Sequence, residues 1–162
     1  MDVLILIIIA LVLLFGFVVM RGAPYLPTLR AQQQTALELL DLKKGQTLLE
    51  LGSGDGRMLA YAASKGIKSI GIELNPVLVL WTRVRYWRYR KLICVSWGDF
   101  WLTSWPQSDG MYVFLLDKYM AKLDTKIIQY SGKKSYKVAS YTFTIPDKKP
   151  VMTKNGIHLY HY

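Results

Sequence analysis

Apolar runs alternate with glycine- and proline-containing breaks along most of the chain. Short runs rich in β-branched and aromatic residues predict strands at residues 46–51, 69–74, 92–96, 111–116, 136–143 and 157–161. Between them, helical periodicity and helix-forming composition predict helices at about 28–42, 58–65, 75–91 and 117–130. Strands alternating with helices indicate an α/β fold, with a mostly parallel sheet of about six strands and helices on both faces. Ligands of such sheets bind at the carboxyl ends of the strands.

The first apolar run differs from the others in its length. Val3–Met20 contains no charged or hydrogen-bonding side chain and reaches about 27 Å as a helix, enough to cross a bilayer core. Only Asp2 precedes it and no clear small-residue cleavage site follows, which favours an uncleaved transmembrane helix over a signal peptide. We therefore expect a membrane anchor at residues 1–21, a linker at 22–27 and one globular domain at 28–162.

The distribution of charge bears on topology and on partners. The chain has 162 residues and a net charge of +10, and all 21 lysines and arginines follow the apolar run. Positive-inside bias then predicts a single-pass membrane protein with its domain on the cytoplasmic side. A basic surface favours phosphates, either of lipid headgroups or of nucleic acid. Cys94 is the only cysteine and lies in an apolar run, so we expect it in the core.

A glycine-rich segment joins the first predicted strand to the next helix, with the sequence Glu50-Leu-Gly-Ser-Gly-Asp-Gly-Arg57. Gly52, Gly54 and Gly56 let the backbone turn sharply and approach a ligand closely, because no Cβ stands in the way. The helix that follows offers free N–H groups and a partial positive charge. A dinucleotide fingerprint requires its third glycine one residue later than Gly56, so this spacing departs from that fingerprint.

Acidic residues follow the ends of the next two predicted strands. Glu73 ends the second, where a carboxylate can accept hydrogen bonds from both ribose hydroxyls, and Asp99-Phe100 follows the third. Taken singly, Glu73 as a solvated strand end and Asp99 as a turn cap are the open alternatives. Together with the Glu-x-Gly-x-Gly-x-Gly pattern, they resemble class I S-adenosylmethionine (SAM) methyltransferases, which have a Rossmann-like fold. The resemblance implies a SAM site formed by Glu50, Gly52, Ser53, Gly54, Gly56, Glu73, Asp99 and Phe100.

Further segments narrow this resemblance. Pro24–Thr28, Gly71–Pro76 and Trp81–Arg88 are similar to a small family of membrane-anchored protein-lysine methyltransferases, which includes the mitochondrial enzymes that modify the ADP/ATP translocase and the c-subunit of ATP synthase. The resemblance covers roughly residues 3–120 and implies methyl transfer to a lysine of a membrane protein. After the fourth strand the family tends to have a Pro-Gln stretch, whereas this chain has Leu116–Tyr119, which leaves the lysine specificity open.

Asp117 is the candidate for the chemistry. A lysine ammonium must lose its proton before it can accept a methyl group, and a carboxylate nearby can orient the amine or take that proton. The alternative is that Asp117 caps the helix it begins. Tyr119 and Tyr25 are candidate walls of an acceptor channel. The two histidines, His158 and His161, point to opposite sides of a strand, and we expect no metal site.

The helix predicted after Asn75-Pro76 combines apolar and basic positions. Arg88 falls on its apolar side, so we expect the stem of this arginine to be buried. Both an ordinary outer helix and a surface that contacts membrane or nucleic acid are open interpretations. The apolar positions share one face at helical spacing: Val77, Leu80, Trp81, Val84 and Trp87.

Three functions remain open from the sequence. The first is a protein-lysine methyltransferase at the membrane. The second is a methyltransferase that acts on RNA, a lipid or a small molecule, which the charge permits. The third is a catalytically inactive, membrane-tethered module that binds SAM. Acceptor assays on membrane-protein, RNA and lipid fractions separate the first two functions from each other.

Overall fold

A seven-stranded sheet forms the centre of the protein. The computed structural model describes residues 3–6, 8, 9, 16, 27–132 and 135–162, and in these the strand order is β3-β2-β1-β4-β5-β7-β6. Strands β1 to β5 run parallel, while β7 is antiparallel to both β5 and β6. The strands are β1 Thr47–Leu51, β2 Lys68–Glu73, β3 Ile93–Trp97, β4 Gly110–Val113, β5 Lys137–Tyr141, β6 Met152–Lys154 and β7 Ile157–His161.

Residues 27–132 and 135–162 contain four α-helices, which cover the two faces of the sheet. They are α1 Arg30–Leu40, α2 Arg57–Ser64, α3 Pro76–Arg85 and α4 Met120–Ser131, with short 3-10 turns at Trp87–Tyr89 and Asp117–Tyr119. Helices α1 to α3 pack on one face and α4 packs on the other. The predicted α/β architecture with helices on both faces is thus confirmed.

Alternation along the strands divides the core into two layers. Leu48 of β1 and Tyr112 of β4 pack with α1 and α2, whereas their neighbours Leu49 and Val113 pack with Leu123 of α4. Successive side chains of a strand point to opposite faces, so a strand covered on both sides is mostly apolar along its whole length. This explains why the predicted strands read as continuous apolar runs.

The strand order reverses between β1 and β4. The chain passes from β1 to its neighbour β2 on one side, and from β4 to its neighbour β5 on the other side. A crevice forms at the carboxyl ends of the strands where the connections diverge in this way, and ligands bind there. This edge, called the carboxyl edge below, carries the predicted site residues.

The predicted number of about six strands is one too few. Strand β6 was missed because Met152, Thr153 and Lys154 are all exposed and form no apolar pattern. Pairing with β7, in which Met152 lies opposite Leu159, is what makes this segment a strand. Predicted strands 111–116 and 136–143 are also shorter in the structure, at Gly110–Val113 and Lys137–Tyr141.

The predicted ends of α1 need correction. Thr28 is buried and does not cap the helix, since its Oγ1 lies 2.9 Å from the Tyr112 hydroxyl of β4. Leu29 occupies the cap position without a side-chain hydrogen bond. The helix ends at Leu40 and Asp41 adopts a left-handed conformation with φ of 51°, so the predicted extension to residue 42 is wrong. Thr28 instead ties the entry of the domain to the central sheet.

Cys94 is exposed and not part of the core. It lies in β3, which forms one edge of the sheet, and only the face of β3 that carries Val95 is covered, by Leu59 and Val79. Cys94 is on the opposite face. A position inside a short apolar run therefore does not guarantee burial on an edge strand.

The predicted anchor Val3–Met20 and the linker 22–27 lie largely outside the described residues, as does Tyr25. In the part of the chain that the structure describes, no helix is both long enough and apolar enough to cross a membrane. The anchor and the contribution of Tyr25 therefore stay predictions.

Candidate active site

The glycine turn connects the end of β1 to the start of α2. Gly52, Gly54 and Gly56 have φ values of 73°, 55° and 74°, in the left-handed region that side chains other than glycine rarely adopt. The Gly52 amide donates to the Ile72 carbonyl of β2 at 2.9 Å, and the Gly56 amide donates to the Ser53 carbonyl at 2.9 Å. The sequence pattern thus correctly located a sharp turn at the carboxyl edge.

The first and third glycines have different surroundings. A Cβ added to Gly52 would come no closer than 4.0 Å to any neighbour, and that neighbour is Cε1 of Phe100. A Cβ added to Gly56 would lie only 2.3 Å from Cγ2 of Thr82 in α3. Gly52 therefore borders open space that a ligand can enter, whereas Gly56 permits close packing of α3 behind the turn.

Thr82 supports the glycine turn, although no sequence pattern pointed to this role. It is fully buried, and its hydroxyl donates to the Gly54 carbonyl over a long 3.4 Å. The predicted apolar face of α3 suggested a different orientation of this helix, so Thr82 was assigned to no role. The structure shows that the inner side of α3 backs directly onto the glycine turn.

Glu73 joins two segments of the site. Its Oε2 accepts from the Gly54 amide at 2.8 Å and its Oε1 accepts from the Asn75 amide at 2.8 Å. Burial raises the pKa of this carboxyl, while these backbone donors act in the opposite direction. Glu73 is therefore not a solvated strand end. A carboxylate has about four acceptor positions, so Glu73 keeps the capacity to accept from a ribose hydroxyl.

Glu50 and Ser53 place unpaired polar atoms inside the turn. Both residues are buried, and within the described part of the chain Glu50 Oε2 and Ser53 Oγ have no hydrogen-bond partner. The pKa of Glu50 lies well above its usual range, first because of burial and then because Asp55 and Glu73 are negatively charged neighbours. Buried polar atoms normally have partners. An acidic cluster with an unpaired oxygen, next to the open space at Gly52, fits a ligand that carries positive charge, as SAM does.

Asp99 shapes the loop that faces the glycine turn. Its Oδ1 accepts from the Trp101 amide at 2.8 Å, and its carbonyl accepts from the amides of Leu102 and Thr103 at 3.0 Å each. The turn-cap interpretation of Asp99 is thus confirmed. The same loop brings the Phe100 ring to the Gly52 side of the site, so the loops after β1 and β3 meet as predicted.

Lys126 of α4 binds the backbone of this loop, and no sequence pattern pointed to this role of the lysine. Its Nζ donates to the carbonyls of Phe100, Trp101 and Thr103 at 2.5, 3.0 and 3.0 Å. Desolvation lowers the pKa of Lys126, and the negative charge of Asp99 acts in the opposite direction. One side chain therefore fixes the directions of three carbonyls in the 99–103 loop.

Asp117 lies past the end of β4 and is exposed. It is the first residue of the 3-10 turn Asp117–Tyr119, and its side chain caps neither this turn nor α4. The helix-cap alternative is therefore wrong. Since β4 pairs with β1, Asp117 follows the strand on the other side of the crevice from the glycine turn. Tyr119 lies beside Trp101, with ring centroids 5.8 Å apart.

Comparison with known proteins identifies relatives of this chain. A family described as the ANTKMT methyltransferase domain matches residues 50–152. The lysine N-methyltransferase of the ATP synthase c-subunit from Xenopus laevis is 31% identical over 131 residues, which are 78% of this chain and 56% of that protein. The adenine nucleotide translocase lysine N-methyltransferase of Mus musculus is 33% identical over 131 residues, 79% of this chain and 56% of that protein. The chain spans about half the length of the curated relatives it matches.

Solved structures share the fold. The RNA methyltransferase from Salinibacter ruber, in complex with S-adenosyl-L-homocysteine, matches with a TM-score of 0.74 and 25% identity over 85% of this chain and 92% of that one. A dimethyladenosine transferase from Plasmodium falciparum matches with a TM-score of 0.63 and 18% identity over 72% of this chain and 43% of that one, a likeness of fold alone. The match to residues 50–152 covers more than half of the sequence, and the chain therefore belongs to the ANTKMT methyltransferase-domain family.

Proposed function

We propose that this protein is a SAM-dependent methyltransferase that transfers methyl groups to a lysine side chain of a membrane-associated protein. The observation that carries the proposal is the convergence of the glycine turn, Glu73 and the 99–103 loop at the carboxyl edge. Relatives named as lysine N-methyltransferases, one of the ATP synthase c-subunit and one of the adenine nucleotide translocase, support the substrate class, since both targets are membrane proteins.

The cofactor half of the site is assigned to residues around the glycine turn. When bound, SAM supplies a methyl group on a positively charged sulfur, and the protein supplies alignment and a dry environment. Glu50 would offer its unpaired buried oxygen to the positively charged cofactor, and the open space at Gly52 would admit it. Glu73 offers acceptors for the ribose hydroxyls, and the Asp99-Phe100 segment is the adenine wall.

The acceptor half lies past β4. Asp117 would orient the incoming lysine amine and take its proton, so that the nitrogen lone pair can face the methyl group. Tyr119 and Trp101 already show the matching surface chemistry, since Lys118 Nζ lies 4.9 Å from the Tyr119 ring and Lys122 Nζ lies 4.4 Å from the Trp101 ring. Aromatic rings that attract ammonium groups suit a channel for lysine.

We further propose that the protein is attached to a membrane as a single-pass protein with its domain on the cytoplasmic side. The Val3–Met20 segment would be the anchor, and the net charge of +10 would favour the anionic lipid surface. A linker of about six residues spans only about 20 Å when extended, which would keep the site within about one domain diameter of the headgroups. Lysines near the membrane surface are then the accessible acceptors.

The test uses the full-length chain with radiolabelled SAM on separate membrane, soluble-protein, RNA and lipid fractions. We expect label in membrane protein, at a lysine located by mass spectrometry. A Gly54→Val variant is the control, because valine is strained at φ of 55° and its side chain obstructs the turn, so binding of SAM by calorimetry should be lost. Label confined to RNA, lipid or soluble protein would contradict the proposal. SAM binding without any transfer would favour the inactive module.

RNA methylation is the second candidate. It is supported by the Salinibacter ruber RNA methyltransferase, which matches with a TM-score of 0.74, and by the basic surface. The relatives named as lysine methyltransferases are more similar in sequence, which is why lysine comes first. The RNA fraction of the same experiment decides between them.

A further inference from the structure

The apolar face of α3 points away from the protein. Val79 and Thr82, on the opposite side of the helix, are the residues buried against the sheet and the glycine turn. From the sequence pattern alone, the apolar face would be expected to pack against the sheet, and the structure corrects that expectation. We call the outward side the α3 outer face; its members are 49–69% exposed and are Val77, Leu80, Trp81, Val84 and Trp87.

Arginines lie against the two tryptophans of the α3 outer face. Arg85 lies over the Trp81 ring at 5.5 Å, and Arg90 lies over the Trp87 ring at 4.7 Å. Arg88 is exposed, so the predicted burial of its stem is wrong. From Asn75 to Lys91 the sequence contains no acidic residue. Within residues 75–91 the surface is therefore an apolar centre flanked by cationic and no anionic side chains.

We propose that the α3 outer face docks on the surface of a bilayer that contains anionic lipid. Tryptophan and aliphatic side chains at the centre enter the boundary between headgroups and acyl chains, and the arginines at the border meet lipid phosphates. A second copy of the chain fits poorly, because a symmetric contact of this face would bring the arginines of both copies together. Nucleic acid would meet the arginines but would leave Leu80 and Val84 without an apolar partner.

The α3 outer face lies close to the carboxyl edge, where the candidate active site is. Trp97, which is 67% exposed, donates from Nε1 to the Leu74 carbonyl at 3.0 Å, just ahead of α3. Leu102, in the loop that carries Asp99, is also highly exposed. Both lie at the carboxyl edge, and Trp97 lies next to the amino-terminal end of α3. Docking by α3 would thus hold the carboxyl edge beside the headgroups, where lysines of membrane proteins emerge.

This inference takes its biological meaning from the proposed membrane substrate, but it does not depend on methyl transfer. Its test contains neither cofactor nor acceptor. Failure of docking would leave the proposed lysine methylation standing, and failure of methyl transfer would leave docking standing.

The experiment places an environment-sensitive fluorophore on the full-length chain. Cys94 is exposed and is first replaced by serine, and a single cysteine is then introduced as Leu80→Cys. The matched control is Ile128→Cys, an exposed apolar position that is 54% accessible on α4, on the other face of the sheet. Vesicles of phosphatidylcholine, with and without phosphatidylglycerol, are the lipid probes.

We expect a blue shift and quenching by lipid-attached quenchers at position 80, stronger with phosphatidylglycerol, and an unchanged signal at position 128. An unchanged signal at position 80 while the protein cosediments with the vesicles would overturn the proposal. A shift without vesicles that grows with protein concentration would assign the face to a second copy. A concentration-independent shift without vesicles would assign the face to another segment of the chain. A shift with RNA alone would assign the face to nucleic acid. Each of these three outcomes would overturn the proposal.

The docking equilibrium provides a second measurement. In full-length protein already attached to anionic vesicles, the double variant Trp81→Ser/Trp87→Ser should shift the docking equilibrium, read from the fluorophore at position 80, at least about tenfold toward the undocked state, since two large aromatic side chains no longer enter the interface. Ile128→Ser is the matched control and should dock like the parent protein. Arg85→Gln/Arg90→Gln should reduce the preference for phosphatidylglycerol. Equal docking by the tryptophan variant, with an unchanged circular dichroism spectrum, would contradict the proposal.

Discussion

The Glu73 carboxylate accepts a hydrogen bond from the Gly54 amide, with Oε2 and N 2.8 Å apart. This bond links the end of β2 to the middle of the glycine turn. Since the other oxygen of Glu73 accepts from the Asn75 amide, one side chain also reaches the start of α3. The residue predicted for the ribose is therefore also the residue that holds the turn in shape.

Replacement of Glu73 tests both roles. Glu73→Ala should weaken SAM binding by about 1.5–3 kcal/mol, the range for hydrogen bonds to a charged group. Glu73→Gln should have a smaller effect, because the amide keeps one acceptor oxygen but loses the other. Calorimetric titration with SAM measures the difference. If both variants bind like the parent protein, Glu73 does not contact the cofactor.

Gly56 and Thr82 should be energetically coupled. Gly56→Ala introduces a methyl group 2.3 Å from Thr82 Cγ2 at a backbone φ of 74°, so we expect destabilisation by about 2–4 kcal/mol from strain and overpacking. In the Thr82→Ala background the same change should cost at least about 1 kcal/mol less, because the clashing methyl group is gone. Urea unfolding of the four proteins in this cycle provides the measurement. Strict additivity would show that the two residues do not meet.

Lys126 is predicted to position the 99–103 loop. Lys126→Met keeps an apolar stem but removes three donors, so the loop should loosen and the KM for SAM should rise by about tenfold, the loss of roughly one strong hydrogen bond. The kcat at saturating SAM should stay near that of the parent protein. Lys126→Arg should restore part of the affinity.

The control for Lys126 is Lys122→Met, one turn earlier on α4. This substitution removes the same charge. In the parent protein, Lys122 Nζ lies over the Trp101 ring. A similar rise in KM for both variants would attribute the effect to charge instead of loop geometry. A fall in kcat with unchanged KM for Lys126→Met would also contradict a positioning role for cofactor binding.

Glu50 should make stability depend on pH in a definite direction. Burial raises its pKa in the folded protein, so above pH 4.5 the folded state holds a proton that the unfolded state has released. The free energy of unfolding then falls as pH rises from about 4.5 toward the folded pKa, by at most about 1.4 kcal/mol per unit for this group. Glu50→Gln removes this contribution to the pH dependence of the free energy of unfolding.

We therefore expect Glu50→Gln to gain stability relative to the parent protein as pH rises from about 5 to about 8. Urea unfolding of both proteins without cofactor, across this range, measures the difference. A difference in unfolding free energy that does not change with pH would show that Glu50 titrates alike in the folded and unfolded states. Asp41→Asn, at an exposed position far from the turn, serves as the control for a general charge effect.

Asp117 should matter for turnover more than for cofactor binding. Asp117→Asn keeps the shape of the side chain but removes the charge that would orient and deprotonate the lysine, so we expect kcat to fall by about 10²–10³-fold while SAM affinity is unchanged. Asp147→Asn, exposed in the loop between β5 and β6, is the matched control. An unchanged kcat at saturating acceptor would remove Asp117 from the mechanism.

Much of the architecture and of the cofactor half of the site could be predicted from local sequence. Apolar runs located β1 to β5 and β7, and in β1, β2, β4 and β5 these runs reflect cover by helices on both faces of the sheet. The glycine spacing predicted a turn at the end of β1. The positions of Glu73 and Asp99, at the ends of the next two strands, predicted that both residues would lie near this turn. This expectation follows from the rule that parallel strands present their carboxyl ends at one edge.

The roles of individual residues depended on contacts between segments that are distant in sequence. Thr28 looks like a helix cap but bonds to Tyr112, 84 residues later, and Lys126 binds a loop more than 20 residues earlier. Strand β6 exists only because β7 pairs with it. No local pattern encodes such partners.

Helix α3 illustrates what a sequence pattern leaves undetermined. Its periodicity correctly identified a helix and an apolar face. Periodicity alone does not say which face meets the sheet, because that choice depends on the complementary surface. The narrow space behind Gly56 admits Thr82 but not tryptophan, and Val79 packs against Leu59 and Val95. Close packing of this side of α3 therefore decided the orientation and left the apolar face exposed.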